Sequence, residues 1–186
     1  TTLTVVKNYE NGDRECSFYR HPGADMMLSS DEVEYEQIKQ SRIFHFGTLS
    51  MTDDNVKEAT KRAIETAKNN GLIISFDPNL RPPLWKSLDD ARNQIAYGLS
   101  QCDVLKISDN EIEFMTGTSD FDKGANILME RYPNIKLLNI TVGADGSYSY
   151  YREIRAYVPS YLLGGTIDTT GAGDTFFGSV LNYLLD

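Results

Sequence analysis

Short apolar segments alternate with helical segments through the middle of the chain, from Arg42 to Val142. Four continuous apolar runs are typical of buried strands: RIFHF, LIISF, DVLKI and KLLNITV. Helices are predicted between them over 53–70, 83–99, 109–115 and 121–132; Gly71 ends the first, and the second is entered through prolines. This alternation predicts βαβ units and an α/β fold with a mostly parallel central sheet and helices on both faces.

Two β-hairpins are predicted outside this alternating region. The first lies within residues 1–28, where TLTVVKNYE and RECSFYR flank the turn signal NGD. The second is formed by SYSYY and IRAYVP, and a last helix begins near Gly171. With 186 residues and no linker or repeat, the chain is predicted to form a single domain over 1–186.

Charge and composition exclude several partners. A formal net charge of −9 argues against nucleic acid and anionic membranes. No apolar run approaches the roughly 18 residues of a membrane span. The two cysteines, Cys16 and Cys102, are far apart in the sequence and form no metal-type pair, so a reducing cytoplasm is the expected location.

Small, polar or charged residues follow each of the four predicted parallel strands. In an open parallel sheet, ligands bind beyond the carboxyl ends of the strands. We therefore expect a site that gathers Gly47 and Thr48; Asp77, Asn79 and Arg81; Ser108 and Glu111; and Thr141, Gly143 and Gly146.

Several of these residues allow two interpretations. Arg81 offers a rigid fork for carboxylate, phosphate or vicinal hydroxyls, or it pairs with a local acid such as Asp77. Arg20 either contacts a ligand or is a solvated arginine in a turn. The segment TVGADG either lets the backbone approach a ligand or is a plain hairpin turn. His45, inside an apolar strand, is predicted to be a core histidine.

The segment DTTGAGDTFFGSVL, residues 168–181, combines a glycine-rich turn with the start of a helix. It lacks the P-loop lysine, the dinucleotide-binding fingerprint and the protein-kinase signature. Backbone N–H groups of Gly171, Ala172 and Gly173 can point into one hollow, where the helix dipole adds positive character and would stabilise a transferring phosphoryl group. Asp174 could accept the proton of an attacking hydroxyl, or it only caps the helix start.

The segment DTTGAGDTF is similar to the second signature of the ribokinase-like carbohydrate kinases, the PfkB family. Four further segments resemble fructokinases of that family in the same order: FYRHPGADMML, FDPNLRPPLW, VLKISDNEIEFMTG and TVGADGSY. The resemblance implies a ribokinase-like fold, in which residues 1–28 contribute to or adjoin a small lid sheet. It also implies transfer of the γ-phosphoryl group of ATP to a sugar hydroxyl, with D-fructose giving fructose 6-phosphate.

The resemblance assigns roles to individual residues. Asp174 would be the general base, and the anion hole would be formed by Gly171, Ala172 and Gly173. Glu111 would help to organise Mg²⁺ through water, and an activating monovalent cation, usually potassium, would lie at Asp168 and Thr170. ATP would be contacted by Lys106, Ser108, Thr141, Gly143 and Gly146, although Ser108 stands where the family motif N-x-x-E has asparagine. The sugar would be contacted by Arg20, Asn79 and Arg81.

The resemblance also leaves alternatives and an expectation about length. Family members begin with a strand that carries a sugar-binding aspartate, and they continue beyond the signature helix. We therefore expect this chain to be the middle of a longer kinase, truncated at both ends and weakly active or inactive alone. A 2-keto-3-deoxygluconate kinase is the alternative enzyme, because two arginines could hold a carboxylate; a non-catalytic sugar or nucleotide sensor is the alternative of another class. The opening hairpin could pair across a homodimer or fold over its own site.

Overall fold

The computed structural model describes residues 2–9, 14–20, 22–161 and 168–185. It contains a six-stranded central sheet and a separate two-stranded hairpin, which confirms the predicted α/β fold. The predicted NGD turn, residues 11–13, lies outside the described residues.

The strands and α-helices follow one another in a regular order. The hairpin is formed by β1 (Leu3–Asn8) and β2 (Arg14–Tyr19). The elements that follow are α1 (Tyr35–Lys39), β3 (Ile43–Gly47), α2 (Asp54–Asn69), β4 (Ile73–Asp77), α3 (Leu88–Gln101), β5 (Val104–Ser108), α4 (Asp109–Thr116), α5 (Phe121–Arg131), β6 (Leu137–Thr141), β7 (Ser147–Tyr151), β8 (Ile154–Val158) and α6 (Ala172–Tyr183).

The central sheet has the strand order β3-β4-β5-β6-β7-β8. Neighbouring strands from β3 to β6 are parallel, and β7 and β8 add to them as an antiparallel hairpin. The carboxyl ends of β3, β4, β5 and β6 therefore meet at one edge of the sheet.

Local signals explain most helix boundaries. The Asp53 side chain accepts a hydrogen bond from the Asn55 N–H at 3.2 Å and begins α2, which ends just before Gly71 at φ +73°. The prediction that α3 starts at the prolines is wrong. Pro82–Leu84 forms a short 3₁₀ turn, and α3 begins after Ser87, whose hydroxyl accepts from the Asp90 N–H at 3.0 Å.

The two faces of the central sheet differ in chemistry. Side chains that share a register position share a face, and one such row joins Phe46, Phe76, Leu105 and Leu138 across β3 to β6. This apolar row is buried in the main core together with residues of α2, α3, α4 and α5. The opposite face carries the polar row His45, Ser75, Asp77, Lys106 and Asn139.

The antiparallel end of the sheet is open. Within the described part of the chain, β8 is the last strand at this end, and all five of its residues are exposed. Its exposed side chains include Ile154, Tyr157 and Val158. Among the residues described, no helix is both long enough and apolar enough to span a membrane.

Candidate active site

The polar residues that follow the strands come together at the carboxyl edge of the sheet. Gly47 is in register with Asp77, and Ser108 is in register with Thr141. Because these strands are adjacent and parallel, residues far apart in the sequence become neighbours there. This is the arrangement expected from the strand-end pattern.

Asp77 and Lys106 form a buried ion pair across β4 and β5. The Lys106 Nζ and Asp77 Oδ2 atoms are 3.0 Å apart, and the two side chains are only 9% and 6% exposed. Burial raises the pKa of Asp77 to about 6; the Lys106 ammonium acts in the opposite direction, and the nearby Glu111 carboxylate adds to the increase. The alternative that Arg81 pairs with Asp77 is therefore wrong.

Glu111 holds the start of α4 and the loop after β4. Its Oε2 accepts a hydrogen bond from the Ser108 N–H at 2.9 Å, while the Ser108 hydroxyl accepts from the Glu111 N–H at 3.3 Å. These two bonds form a capping box. The other carboxylate oxygen, Oε1, accepts from the Leu80 N–H at 2.7 Å. The buried Glu111 carboxylate thus links two of the polar segments at the sheet edge.

The loop after β4 is shaped by the same carboxylates. Asn79 adopts a left-handed conformation at φ +49°, which asparagine tolerates better than most residues, and its N–H donates to Asp77 Oδ1 at 3.1 Å. Arg81 Nη1 donates to the carbonyl of Leu80 at 3.1 Å. The Asn79 and Arg81 side chains are both partly exposed beside the sheet edge.

Arg20 lies at the end of the opening hairpin and is buried. Its guanidinium donates to Asp25 Oδ2 at 2.5 Å, to Thr52 Oγ1 at 2.8 Å and to the Leu49 carbonyl at 2.9 Å. The interpretation of Arg20 as a solvated turn residue is therefore wrong. It fastens the end of the hairpin to the turn that follows β3.

The glycine-rich turn leads directly into α6. Gly171 is the N-cap residue at φ +78°, a conformation that glycine adopts without strain. The Ala172 N–H donates to the Thr169 carbonyl at 3.1 Å. One of the three predicted anion-hole donors is therefore already used in a hydrogen bond within the turn. Asp174 lies exposed in the first turn of α6.

The first turns of α6 lie against the polar face of the sheet. A Cβ atom placed on Gly173 would be 3.2 Å from Lys106 Nζ. The Phe177 ring packs edge-on to His45, with ring centroids 5.4 Å apart, and His45 Nδ1 lies 2.9 Å from Ser75 Oγ. The structure therefore brings Asp174 and the glycine turn to the same place as Lys106.

His45 is not a core histidine, so that prediction is wrong. The residue as a whole is exposed, but its ring is partly covered by Phe177 and Ser75, and it belongs to the polar row. Burial by its neighbours lowers the pKa of His45, the Asp174 carboxylate opposes this, and Lys106 adds to the decrease.

The segment TVGADG forms the tight connection between β6 and β7. Residues Gly143–Asp145 form a 3₁₀ turn, and the Val142 N–H donates to the Gly146 carbonyl at 2.8 Å, as the hairpin interpretation predicts. A Cβ atom on Gly146, at φ +118°, would lie 2.2 Å from the Val158 carbonyl oxygen. Gly146 is thus required by the close approach of β8, whereas Gly143 at φ +49° faces open space. Thr141 is partly exposed at the end of β6.

The predicted cation residues lie just before the glycine turn. Asp168 Oδ1 accepts from the Thr170 N–H at 2.8 Å and from the Thr170 hydroxyl at 2.7 Å. Among the residues described, no group of three or more His, Cys, Asp and Glu side chains is arranged to hold a metal ion. The cation roles of Glu111, Asp168 and Thr170 stay predictions.

The sequence did not reveal two of the contacts that organise this site. These are the pairing of Asp77 with Lys106 and the packing of Phe177 on His45. Strand parity carried a usable signal for the first, since both residues lie on the face opposite the apolar row.

Comparisons with known proteins agree with this geometry. The sequence model described as "pfkB family carbohydrate kinase" matches residues 1–186. The chain is 40% identical over 186 residues to a probable fructokinase-2 of Arabidopsis thaliana, covering 100% of this chain and 56% of that protein. It is 40% identical over 185 residues to fructokinase-1 of Zea mays, covering 57% of that protein. The chain thus spans little more than half the length of these relatives.

Solved structures show the same relationship. A fructokinase from Xylella fastidiosa with bound ATP matches with a TM-score of 0.82 and 31% identity, over 96% of this chain and 54% of that one. A fructokinase from Vibrio cholerae O395, in a fructose, ADP and calcium ion bound form, matches with a TM-score of 0.85 and 29% identity, over 97% of this chain and 57% of that one.

Proposed function

Because the chain belongs to the pfkB family of carbohydrate kinases, we propose that the protein transfers the γ-phosphoryl group of ATP to a hydroxyl group of a sugar, and that this sugar is fructose. The observation that carries the proposal is the convergence at α6. The glycine turn lies beside the Lys106 ammonium near the carboxyl edge of the sheet, and Asp174 follows that turn directly in the first turn of α6. Fructose is favoured because the relatives at 40% identity are named fructokinases.

In this proposal each group has one task. Asp174 accepts the proton of the sugar hydroxyl as its oxygen attacks the γ-phosphorus atom and the bond to the ADP oxygen breaks. The backbone of Gly171, Ala172 and Gly173, at the positive end of α6, binds the oxygens of the transferring group, and for this the Ala172 N–H has to exchange the Thr169 carbonyl for a phosphoryl oxygen. Asp174 is exposed, so a sugar hydroxyl can reach it.

ATP and its metal would be held by the neighbouring strand ends. Lys106, Ser108, Thr141, Gly143 and Gly146 lie on β5, β6 and the connection to β7, and we assign them to the nucleotide. Each Glu111 oxygen accepts one backbone N–H and keeps a second lone pair, which could accept a hydrogen bond from a water bound to Mg²⁺. The bound Mg²⁺ would neutralise phosphate charge, and potassium would lie at Asp168 and Thr170.

The sugar would lie between the opening hairpin and the loop after β4. We assign its contacts to Arg20, Asn79 and Arg81, and we propose that residues 1–28 adjoin the sugar site. The anchoring of Arg20 beside the turn after β3 supports this placement. The pairing with Asp25 disfavours a sugar acid, since it already neutralises the charge that a carboxylate would need, whereas Nη1 and Nη2 each keep a second N–H for a sugar hydroxyl. Pairing of the hairpin across a homodimer, and a cytoplasmic location, stay predictions.

The test is an activity survey of the full-length protein. ADP formation is measured with fructose, glucose, ribose and 2-keto-3-deoxygluconate, and fructose should give the highest kcat/KM. A higher value with the sugar acid would replace the substrate assignment. No turnover with any of these compounds would contradict the proposed kinase.

The role of Asp174 has a matched control. Asp174→Asn should lower kcat at least ~10²-fold, the usual effect of losing a general base, while ATP binding by calorimetry is retained. Asp89 is also an exposed aspartate in the first turn of a helix, on α3, so Asp89→Asn should leave kcat unchanged. Near-normal turnover of Asp174→Asn would reject Asp174 as the general base.

A further inference from the structure

We propose that Asp77 is a positioning residue that holds the Lys106 ammonium against the first turn of α6, where Lys106 acts on the transferring phosphoryl group. This inference rests on the proposed function. It adds a residue to the site that carries no assigned role in ATP or sugar binding.

The location of the Lys106 ammonium is the first argument. Its Nζ atom lies 3.2 Å from the position of a Cβ on Gly173, in the glycine turn that begins α6. The helix dipole makes this end of α6 positive, so a cation is electrostatically unfavourable there. An anion bound at the same place would be attracted by both the dipole and the ammonium. The position of Lys106 is therefore electrostatically more favourable with a phosphoryl group bound than without one.

The cost of the ion pair is the second argument. Both side chains are almost fully buried, and a buried ion pair is often no more stabilising than apolar residues of the same size. Burial also outweighs the attraction of Lys106 in its effect on Asp77, whose pKa is raised rather than lowered. Costly buried charges at a sheet edge are more typical of functional sites than of packing.

The rigidity of Asp77 is the third argument. The residue ends β4, and its second oxygen, Oδ1, accepts the Asn79 N–H at 3.1 Å. The next residue of that loop, Leu80, is held by Glu111 of α4. Asp77 is thus fixed by its own strand and loop while its Oδ2 faces the ammonium. An ion pair with a fixed carboxylate restricts the position of the ammonium group at the end of the flexible lysine side chain.

The test is a double-mutant cycle in the full-length protein. Lys106→Met should lower kcat at least ~10²-fold, because it removes a charge that stabilises the transition state. Asp77→Asn should lower kcat ~10-fold with the KM for fructose within ~2-fold, since the ammonium is present but displaced. In the Lys106→Met background, Asp77→Asn should change kcat less than ~2-fold, because there is no ammonium left to position.

The outcomes separate this inference from the proposed function. A wild-type protein that phosphorylates no sugar contradicts the function itself. An active wild type in which Asp77→Asn lowers kcat by the same factor in both backgrounds shows that Asp77 acts only on structure, which overturns the inference. Thermal melts report whether each variant is folded; if Lys106→Met is not, Lys106→Gln takes its place in the cycle and the same comparison decides.

Discussion

The two faces of the central sheet are made by alternate residues of the same strands, yet they serve different ends. On β4, Phe76 points into the core with its ring stacked on Phe46 at 4.6 Å, while Ser75 on the other face bonds His45. The apolar face meets four helices, and the polar face meets α6 with the Asp77–Lys106 pair. A one-residue step along a strand thus moves a side chain from the face that stabilises the fold to the face that carries the candidate site. We therefore expect substitutions on the apolar face to change mainly the free energy of unfolding, and substitutions on the polar face to change mainly kcat.

The largest expected effect is on the apolar face. Phe76→Ala should lower the free energy of unfolding by about 3–5 kcal/mol, because it leaves a cavity in the main core. Ser75→Ala is the matched substitution on the polar face and should cost about 1 kcal/mol, the usual value of one hydrogen bond. Chemical denaturation measures both. Equal losses would mean that the polar face also carries the fold.

The next effect depends on pH and belongs to the polar face. The pKa of Asp77 rises from its ordinary value of 3.8 to about 6 on folding. The folded state therefore favours protonated Asp77. The resulting contribution to the free energy of unfolding is complete below the ordinary pKa of 3.8, and it is lost as the pH rises through the pKa of the folded state. Relative to Asp77→Asn, the wild type should lose up to about 3 kcal/mol of stability between pH 4 and pH 7. Denaturation curves across that range would refute this if the difference stayed flat.

The smallest effect on stability tests how α6 is held. Phe177 is the one buried side chain of α6 among the described residues, and it is 2% exposed. Phe177→Leu should cost less than about 1.5 kcal/mol, yet lower kcat ~10-fold by shifting the helix that carries Asp174. Leu138→Met, a similar swap on the apolar face, should cost a comparable amount and leave kcat unchanged. Parallel loss of turnover in both variants would remove the distinction between the faces.

Much of the fold could be predicted because its central strands are short and mostly apolar, with helical segments between them. Short apolar segments are typical of parallel strands buried on both faces, and the four of them between Arg42 and Val142 all became adjacent parallel strands. Their carboxyl ends then had to share an edge, so the meeting of Gly47 with Asp77 and of Ser108 with Thr141 also followed. The predicted start of α3 was wrong because the prolines form a separate turn and the helix begins only after Ser87. The Ser87 hydroxyl accepts a hydrogen bond from the Asp90 N–H and so caps the helix.

The contacts between distant elements could not be predicted in the same way. The sequence RIFHF does not indicate which face of its strand another element will cover. His45 is contacted by Phe177 of α6, which lies near the other end of the chain. Arg20 was buried by Asp25, Thr52 and the Leu49 carbonyl, two of which belong to a later turn. Each of these partners depends on tertiary packing, which leaves no local pattern.

The open strand β8 has a practical consequence for handling the protein. An edge strand with unpaired backbone groups and exposed apolar side chains is a template for pairing with another chain. Among the described residues β8 has such an edge, with Ile154 63% and Val158 59% exposed, and we expect this 186-residue chain to self-associate through it at high concentration. The substitution Ile154→Lys would interrupt such pairing and keep concentrated samples in solution.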